Sequence, residues 1–119
     1  ASAVVGPLIN SRTKPELAGQ TIDNSAVLSK NGVKTAICTD HPELPIQYLP
    51  LSAGIAVRGG LPYDEALKAI TIYPAQICGI DNRVGSIEQG KDADMVFFFG
   101  DPLSVYAKPK LVIINGEIK

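Results

Sequence analysis

The segment that most constrains the fold lies at residues 33–42, where an apolar stretch runs directly into an acid and an imidazole. Its apolar, small or β-branched members suit a packed strand, and they are Val33, Thr35, Ala36, Ile37 and Thr39. A glycine precedes the segment and a proline closes it, so we predict a buried strand over 33–39 that ends on Asp40 and His41. Active sites of α/β folds lie where strands become loops. Asp40 and His41 are therefore the first candidate site residues.

A second buried strand is predicted upstream, at residues 3–6, and a helix lies between the two strands. Thr21 or Asp23 can cap this helix, and the Asn31-Gly32 pair ends it. A strand, a helix and a second strand in this order predict a crossover connection with parallel strand pairing.

Prolines mark the first turns of three further helices. We predict that these helices begin near Leu49-Pro50, at Pro62 and at Pro74, because proline fits a first turn and disrupts a helix interior. Gly59-Gly60 ends the first of these helices and Gly79 ends the last. The middle of the chain is therefore expected to be helical.

From residue 80 the pattern changes to that of short strands. Three strands are predicted, at 83–87, 93–99 and 110–114. The second of them is apolar on both faces, so we expect it to be buried. Asn115-Gly116 is the strongest hairpin signal in the chain. The chain is thus predicted to be α/β, with one part at 1–79 and a strand-rich part at 80–119.

Composition excludes several classes of protein. Hydrophobic residues make up 45% of the 119 residues and the net charge is −1, which indicates a globular chain. The basic residues form no long run, so nucleic-acid or membrane-surface binding is not expected. Cys38 and Cys78 each lie in an apolar segment without a Cys-x-x-Cys spacing. They are predicted to be two buried, reduced thiols, which favours a cytoplasmic location.

Three motifs and the closing hairpin together resemble one known family. The first motif is TDHP at 39–42. The second, at 71–80, is TIYPAQICGI, which is similar to a T-x-N-P-A-x-x-L-G helix. The third, at 83–96, is RVGSIEQGKDADMV, which is similar to a GSI-x-x-GKDADLV segment. On these motifs the chain resembles the amidohydrolase superfamily, in particular its imidazolonepropionase-like and prolidase-like hydrolases. The resemblance covers nearly the whole chain.

The resemblance implies the last two β/α units of a (β/α)8 barrel followed by the C-terminal strands of a small β-sandwich. Residues 3–6 and 33–39 would be barrel strands seven and eight, and the strands from residue 83 onward would belong to the sandwich. The chain would then be the C-terminal part of a longer metal-dependent hydrolase. Such an enzyme is expected to act on C–N bonds of a cyclic amide or peptide-like substrate.

The resemblance also implies a divalent metal, most typically zinc, in the full-length parent. The aspartate that ends strand eight is a metal ligand or proton shuttle in this family, which assigns both parts to Asp40. His41 and Arg12 are the candidate substrate-binding residues. The sequence holds one histidine and no H-x-H pair, whereas a catalytic zinc needs about three protein ligands. We therefore expect this chain alone to be inactive, with no metal bound.

Each candidate residue also has a structural interpretation. Asp40 could cap a turn, His41 could be a partly buried hydrogen-bonded residue, and Arg12 could lie in a solvated loop. The GKDAD stretch is predicted to be structural, with Asp92 or Asp94 bonding backbone amides. The chain as a whole could be a non-catalytic structural module or a small binding domain. Open sheet edges and apolar faces predict self-association or contact with a missing N-terminal part.

Overall fold

Two parallel strands form the first sheet of the computed structural model, which describes residues 1–10 and 14–119. They are β1 (Ser2–Val5) and β2 (Lys34–Ile37), joined through the helix α1 (Asn24–Lys30). The predicted order of strand, helix and strand, with parallel pairing, is confirmed. The second strand is shorter than predicted, since it ends at Ile37 instead of Thr39.

Local hydrogen bonds define both ends of α1. Asp23 occupies the N-cap, as predicted, but its carboxylate accepts a hydrogen bond from the Thr21 hydroxyl and makes no capping bond to the helix. At the other end, Asn31 Nδ2 donates to the Val27 carbonyl at 2.8 Å. Gly32 follows with φ at 73°, a left-handed conformation that glycine adopts without strain. Both ends of this helix are therefore set by residues adjacent in sequence.

Three more helices follow β2. They are α2 (Leu49–Arg58), α3 (Tyr63–Ala69) and α4 (Ile72–Ile77), and short 3-10 turns at Pro15–Leu17 and Ile46–Tyr48 precede α1 and α2. The predicted starts of α2 and α3 are confirmed. The predicted start of α4 at Pro74 is wrong, since the helix begins at Ile72. Proline is tolerated in a first helical turn, where backbone N–H groups have no intrahelical partner, so Pro74 does not have to be the first residue.

The hydrophobic core lies between β2 and the helices and consists mainly of small side chains. Its buried members are Leu8, Ala26, Ile37, Ala53, Ala56, Leu61, Ala66, Ala69 and Leu103. Leu103 reaches this core from the C-terminal part of the chain. A Cβ placed on Gly54 would lie 2.5 Å from the Leu103 carbonyl oxygen. The glycine therefore allows the segment around Leu103 to lie directly on α2.

A three-stranded antiparallel sheet forms the C-terminal part. Its strands are β3 (Met95–Phe98), β4 (Pro109–Ile114) and β5 (Glu117–Ile118), in that order. Asn115 and Gly116 connect β4 to β5 with φ angles of 52° and 79°. Positive φ at both central residues is the geometry that the asparagine-glycine pair favours. The predicted hairpin is confirmed.

The predicted strand at 83–87 is wrong. These residues are all described and form turns, with the N–H groups of Arg83 and Val84 donating to the Ile80 carbonyl. Gly85 has φ at 94°, and a Cβ on it would lie 2.8 Å from the Ala75 side chain in α4. Gly85 thus lets the segment pass close to α4, while Ile87 is 84% exposed.

The prediction that 93–99 is buried is also wrong. Val96 and Phe97 are 49% and 47% exposed, and Phe99 is 72% exposed. Neighbouring strand residues point to opposite faces of a sheet. Because Val96 and Phe97 are both about half exposed, neither face of this sheet is closed by a second layer in the described parts of the chain.

The cysteines are unpaired, as predicted, but their burial differs from the prediction. Cys38 is half-buried at the end of β2, and Cys78 is exposed after α4. Cys78 is the C-cap residue that follows α4. Within residues 1–10 and 14–119, none of the helices is both long enough and apolar enough to cross a membrane.

Candidate functional site

The ends of β1 and β2 lie side by side. The Cys38 N–H donates to the Val5 carbonyl at 2.9 Å. Gly6 follows β1 with φ at 151°, and a Cβ there would lie 2.0 Å from the Cys38 carbonyl oxygen. Only glycine fits such an approach of two backbones. The loops after the two strands therefore leave from the same edge of the sheet, where α/β enzymes place functional groups.

Asp40 lies on the first turn after β2. Its φ is 51°, in the left-handed region that residues other than glycine rarely adopt. The Asp40 carbonyl accepts a hydrogen bond from the Glu43 N–H at 2.9 Å, and the Thr39 carbonyl accepts one from the Leu44 N–H at 3.2 Å. Backbone groups thus close the turn. In the described part of the chain the Asp40 carboxylate makes no hydrogen bond, so it does not cap the turn, and its side chain is exposed.

His41 is the next residue on the same turn and is also exposed. Asp40 and His41 are therefore brought to one surface turn, although the described residues include no hydrogen bond between them. The partly buried, hydrogen-bonded histidine considered from the sequence is not what the structure shows. An exposed acid and an exposed imidazole on one turn can both reach a ligand from solvent.

The predicted residue Arg12 lies outside the described residues. The residues flanking it show how the loop after β1 is held: Asn10 Nδ2 donates to Gln20 Oε1 at 2.8 Å, and Gln20 Nε2 donates to the Pro7 carbonyl. An open cavity of about 270 Å³ lies at this loop and is lined by Leu8, Ile9, Asn10, Gln20, Thr21, Ile22 and Ile55. The sequence interpretation missed this recess. The signal that could have located it is the pair of side-chain amides, Asn10 and Gln20, in the loop that follows β1.

The residues described here do not fit a complete metal centre. Residues 1–10 and 14–119 contain no group of three or more histidine, cysteine, aspartate and glutamate side chains close enough to hold a metal ion. A catalytic zinc site takes three protein ligands. Asp40 supplies one carboxylate at the expected place, and the rest of the donor set is not among these residues.

Other ionisable groups are paired with one another. Glu65 accepts hydrogen bonds from Lys68 Nζ at 2.8 Å and from the Tyr73 hydroxyl at 2.7 Å. The hydrogen bond from Lys68, and then that from Tyr73, lowers the pKa of Glu65, and the same carboxylate raises the pKa of Tyr73. This cluster joins α3 to α4 on the surface and has its partners already, so it is structural.

The GKDAD stretch is structural, as predicted. Asp94 Oδ1 accepts a hydrogen bond from the Asn115 N–H at 2.7 Å, which holds the β4–β5 turn. Asp92 pairs with the Arg83 guanidinium at 2.6 Å, and Lys91 Nζ donates to the Ser86 hydroxyl at 2.5 Å. Since these charged side chains already have partners, the stretch has no vacant site for a phosphate among the described residues.

A mixed α/β chain with an exposed acid at the carboxyl edge of paired parallel strands has the layout of a β/α enzyme. Comparison with known families makes the assignment specific. The sequence profile of the Amidohydrolase family matches residues 6–119. The chain belongs to the amidohydrolase family, whose members are hydrolases and are generally metal-dependent.

Two curated relatives match parts of the chain. It is 39% identical over 90 residues to "Amidohydrolase tasK" of Hapsidospora irregularis, which covers 76% of this chain and 9% of that protein. It is 42% identical over 73 residues to the urease subunit alpha of Yersinia pestis, covering 53% of this chain and 12% of that subunit. The chain therefore spans only a small part of the length of these relatives.

Solved structures give the same family. An amidohydrolase from Thermotoga maritima superposes with a TM-score of 0.93 and 42% identity, covering 97% of this chain and 30% of that one. A Xaa-Pro dipeptidase with methionine bound in its active site superposes with a TM-score of 0.73 and 27% identity, covering 84% of this chain and 25% of the dipeptidase. The fold is thus that of a portion of an amidohydrolase.

Proposed function

We propose that this chain is the C-terminal portion of a longer metal-dependent amidohydrolase that hydrolyses C–N bonds in a cyclic amide or peptide-like substrate. Membership of the family supports a hydrolase. The similarity to a Xaa-Pro dipeptidase favours a peptide-like substrate. The chain matches 30% or less of each of these structures, which supports a longer parent.

Within that parent, β1 and β2 would be the last two strands of a (β/α)8 barrel, and β3–β5 would be strands of a small β-sandwich beside it. The division would fall near residue 79, with 1–79 in the barrel and 80–119 in the sandwich. Parallel pairing of β1 with β2, and antiparallel pairing among β3–β5, support this division.

The observation that carries the proposal is the Asp40 carboxylate, which is exposed, lies on the first turn after β2 and makes no hydrogen bond to the described residues. A carboxylate in this state is free to accept a proton from an attacking water and to pass it to the leaving nitrogen. Because the described residues do not fit a complete metal centre, zinc or another divalent metal would need ligands from beyond them.

The test uses the longer parent and pairs Asp40→Asn with Glu43→Gln. Both remove an exposed carboxylate from the same turn, and asparagine tolerates the left-handed backbone of residue 40. Asp40→Asn is expected to lower kcat about a hundredfold or more, and Glu43→Gln to leave kcat unchanged. Full activity of Asp40→Asn, or equal losses in the two variants, would contradict the role of Asp40.

We propose a substrate-binding role for His41 and Arg12. His41 lies next to the acid on an exposed turn, and Arg12 falls between β1 and α1 in the sequence. Replacement of either residue in the parent, as His41→Gln or Arg12→Gln, should raise KM while kcat changes little. A fall in kcat at constant KM would instead place that residue in the chemical step.

A second candidate function is that of a non-catalytic structural module. The incomplete donor set for a metal favours it for the chain taken alone. We expect the 119-residue chain to show no hydrolysis of dipeptides or cyclic amides with added zinc, and the longer parent to show it. Activity of the 119-residue chain itself would remove the structural alternative.

The exposed apolar sheet faces support self-association or cover by the rest of a longer chain. Val96 and Phe97 lie on opposite faces of β3 and are both about half exposed, and Ile118 is 71% exposed. The 119-residue chain is expected to sediment as a concentration-dependent oligomer, and Phe97→Glu should weaken the association while Arg58→Glu does not. A monomer at high concentration would contradict this expectation.

A further inference from the structure

The chain contains two asparagine-glycine pairs, Asn31-Gly32 after α1 and Asn115-Gly116 in the β4–β5 turn. This dipeptide deamidates spontaneously, because glycine leaves the next backbone nitrogen unhindered and thus able to attack the asparagine side chain. Asparagine is one of the thermolabile residue types for this reason. The two pairs differ in which of their side-chain and backbone amides are held by hydrogen bonds.

At Asn115 the backbone is held and the side chain is free. The Asn115 N–H donates to Asp94 Oδ1 at 2.7 Å, and the Gly116 N–H donates to the Ala93 carbonyl at 3.0 Å. The Asn115 side-chain amide makes no hydrogen bond to the described residues and is exposed. While the turn is closed, the Gly116 nitrogen keeps its proton in a hydrogen bond. Opening the turn is therefore the step that exposes this nitrogen.

At Asn31 both the side chain and the next amide are held. Asn31 Nδ2 donates to the Val27 carbonyl at 2.8 Å, and the Gly32 N–H donates to the Ser29 carbonyl at 3.0 Å. Reaction here requires release of the side chain and opening of the helix end together. The Asn31 pair is accordingly expected to be the slower site in the folded chain.

We propose that Asn115 is a site of spontaneous deamidation whose rate is set by opening of the β4–β5 turn, and that the Asp94 carboxylate protects it by holding that turn closed. The inference does not depend on the proposed function. In the reaction the Gly116 nitrogen attacks Asn115 Cγ, a C–N bond forms, and the bond from Cγ to Nδ2 breaks. The proton of the Gly116 amide leaves with ammonia. Water then opens the five-membered imide at either carbonyl, giving aspartate or isoaspartate.

The product is expected to loosen the hairpin. An aspartate at 115 puts a second carboxylate near Asp94, which already accepts the 115 N–H, and like charges at this range repel. An isoaspartate adds a methylene to the backbone of the turn, which does not fit the pairing of Ile113 with Ile118. Either product therefore favours release of β5.

The experiment follows deamidation of the folded 119-residue chain in mildly alkaline buffer by peptide mapping, which separates aspartate from isoaspartate. The variants are Asp94→Ala, which removes the oxygen that accepts the hydrogen bond from the Asn115 N–H, and Asp94→Asn, which retains a side-chain oxygen able to accept that bond. Asp94→Ala should raise the rate at Asn115 about tenfold, the effect of losing one charge-assisted hydrogen bond on the opening equilibrium. Asp94→Asn should stay within about threefold of the parent, and the rate at Asn31 should not change in either variant.

Two further measurements keep the test decisive. In urea both asparagines of the parent chain should react at similar rates, each faster than in the folded chain. Hydrogen exchange of the unmodified chain should show slowed exchange at the Asn115 and Gly116 amides, which also tests protection if Asp94→Ala does not fold. Equal rates for Asn115 in the folded and urea-unfolded chain, an unchanged rate in folded Asp94→Ala, or unprotected amides at 115 and 116 would each overturn the proposal.

Discussion

One strand of the first sheet, β2, is largely buried, whereas its neighbour β1 is only partly buried, with Val4 58% exposed, and the second sheet is open. In β2, Ala36 and Ile37 are 2% and 4% exposed, whereas Phe99 and Ile118 of the second sheet region are 72% and 71% exposed. The helices pack around β2, and no layer closes either face of β3–β5 within the described residues. An apolar strand is therefore buried only when a second element covers it, and its own sequence does not supply that element.

A short segment joins the open sheet to the helices. Leu103 enters the core beside Gly54 of α2, and Asp101 accepts hydrogen bonds from the Tyr63 hydroxyl at 2.6 Å and from the Leu103 N–H at 2.9 Å. The C-terminal sheet is thus held to the helices through its connecting loop. The following predictions test how far the two regions differ and what holds them together.

The largest effect is expected from glycine replacement in the closely packed region. Gly6→Ala adds a Cβ at a residue of positive φ, and this Cβ would lie 2.0 Å from the Cys38 carbonyl oxygen. The variant should therefore lower the free energy of unfolding by about 4 kcal/mol or more. Gly100→Ala, at φ 77° with open space around it, should lower it by about 1 kcal/mol. Urea unfolding of both variants measures the difference. Equal losses would mean that the close approach of β1 to β2 does not matter.

The joining segment comes next. Leu103→Ala removes a buried side chain from the core and should destabilise the chain by about 3 kcal/mol. Val105→Ala, two residues further on and 71% exposed, should change stability by less than about 0.5 kcal/mol. The Leu103 variant should also speed hydrogen exchange in β3 and β4. If stability falls without faster exchange in the sheet, Leu103 serves the core only and does not anchor the sheet.

The same substitution in each sheet gives the most direct comparison. Ile37→Thr buries a hydroxyl where the side chain is 4% exposed and should cost about 2 kcal/mol. Ile114→Thr, where the side chain is 50% exposed, should cost less than about 1 kcal/mol. Thermal unfolding of the two variants decides the matter. The comparison is made at a concentration low enough to keep the chain monomeric. There, a cost for Ile114→Thr as large as that for Ile37→Thr would show that the second sheet is covered within one chain.

Features set by neighbouring residues were predictable from the sequence. The proline in the first turn of α2, the end of α1 at Gly32 and the hairpin at Asn115-Gly116 all depend on local backbone chemistry. The position of Asp40 after β2 followed in the same way. Family membership was likewise readable, because the motifs at 71–80 and 83–96 are contiguous in sequence.

Features set by distant contacts were not predictable. The apolar segment at 83–87 became a turn because Gly85 fits against Ala75 of α4, a contact that no local pattern encodes. The exposure of Phe97 depends on which elements lie over the sheet. The recess at Asn10 and Gln20 forms because a loop folds back through side-chain amides. Local chemistry thus located the candidate acid, and tertiary contacts decided what surrounds it.

The smallest effect concerns the hydrogen bond between the regions, and it depends on pH. The Tyr63 hydroxyl, and then the Leu103 N–H, lowers the pKa of Asp101 below its ordinary value of 3.8. The folded chain therefore favours the ionised acid, so this contribution is present above the ordinary pKa and is lost as the pH falls through the lowered one. Tyr63→Phe should reduce Tm slightly near about pH 7, and this difference should shrink below about pH 3. Tyr106→Phe, at a site 89% exposed, is the matched control and should show no difference at either pH. A Tyr63→Phe difference that persists unchanged in acid would mean that the ring, and not its bond to Asp101, links the sheet to the helices.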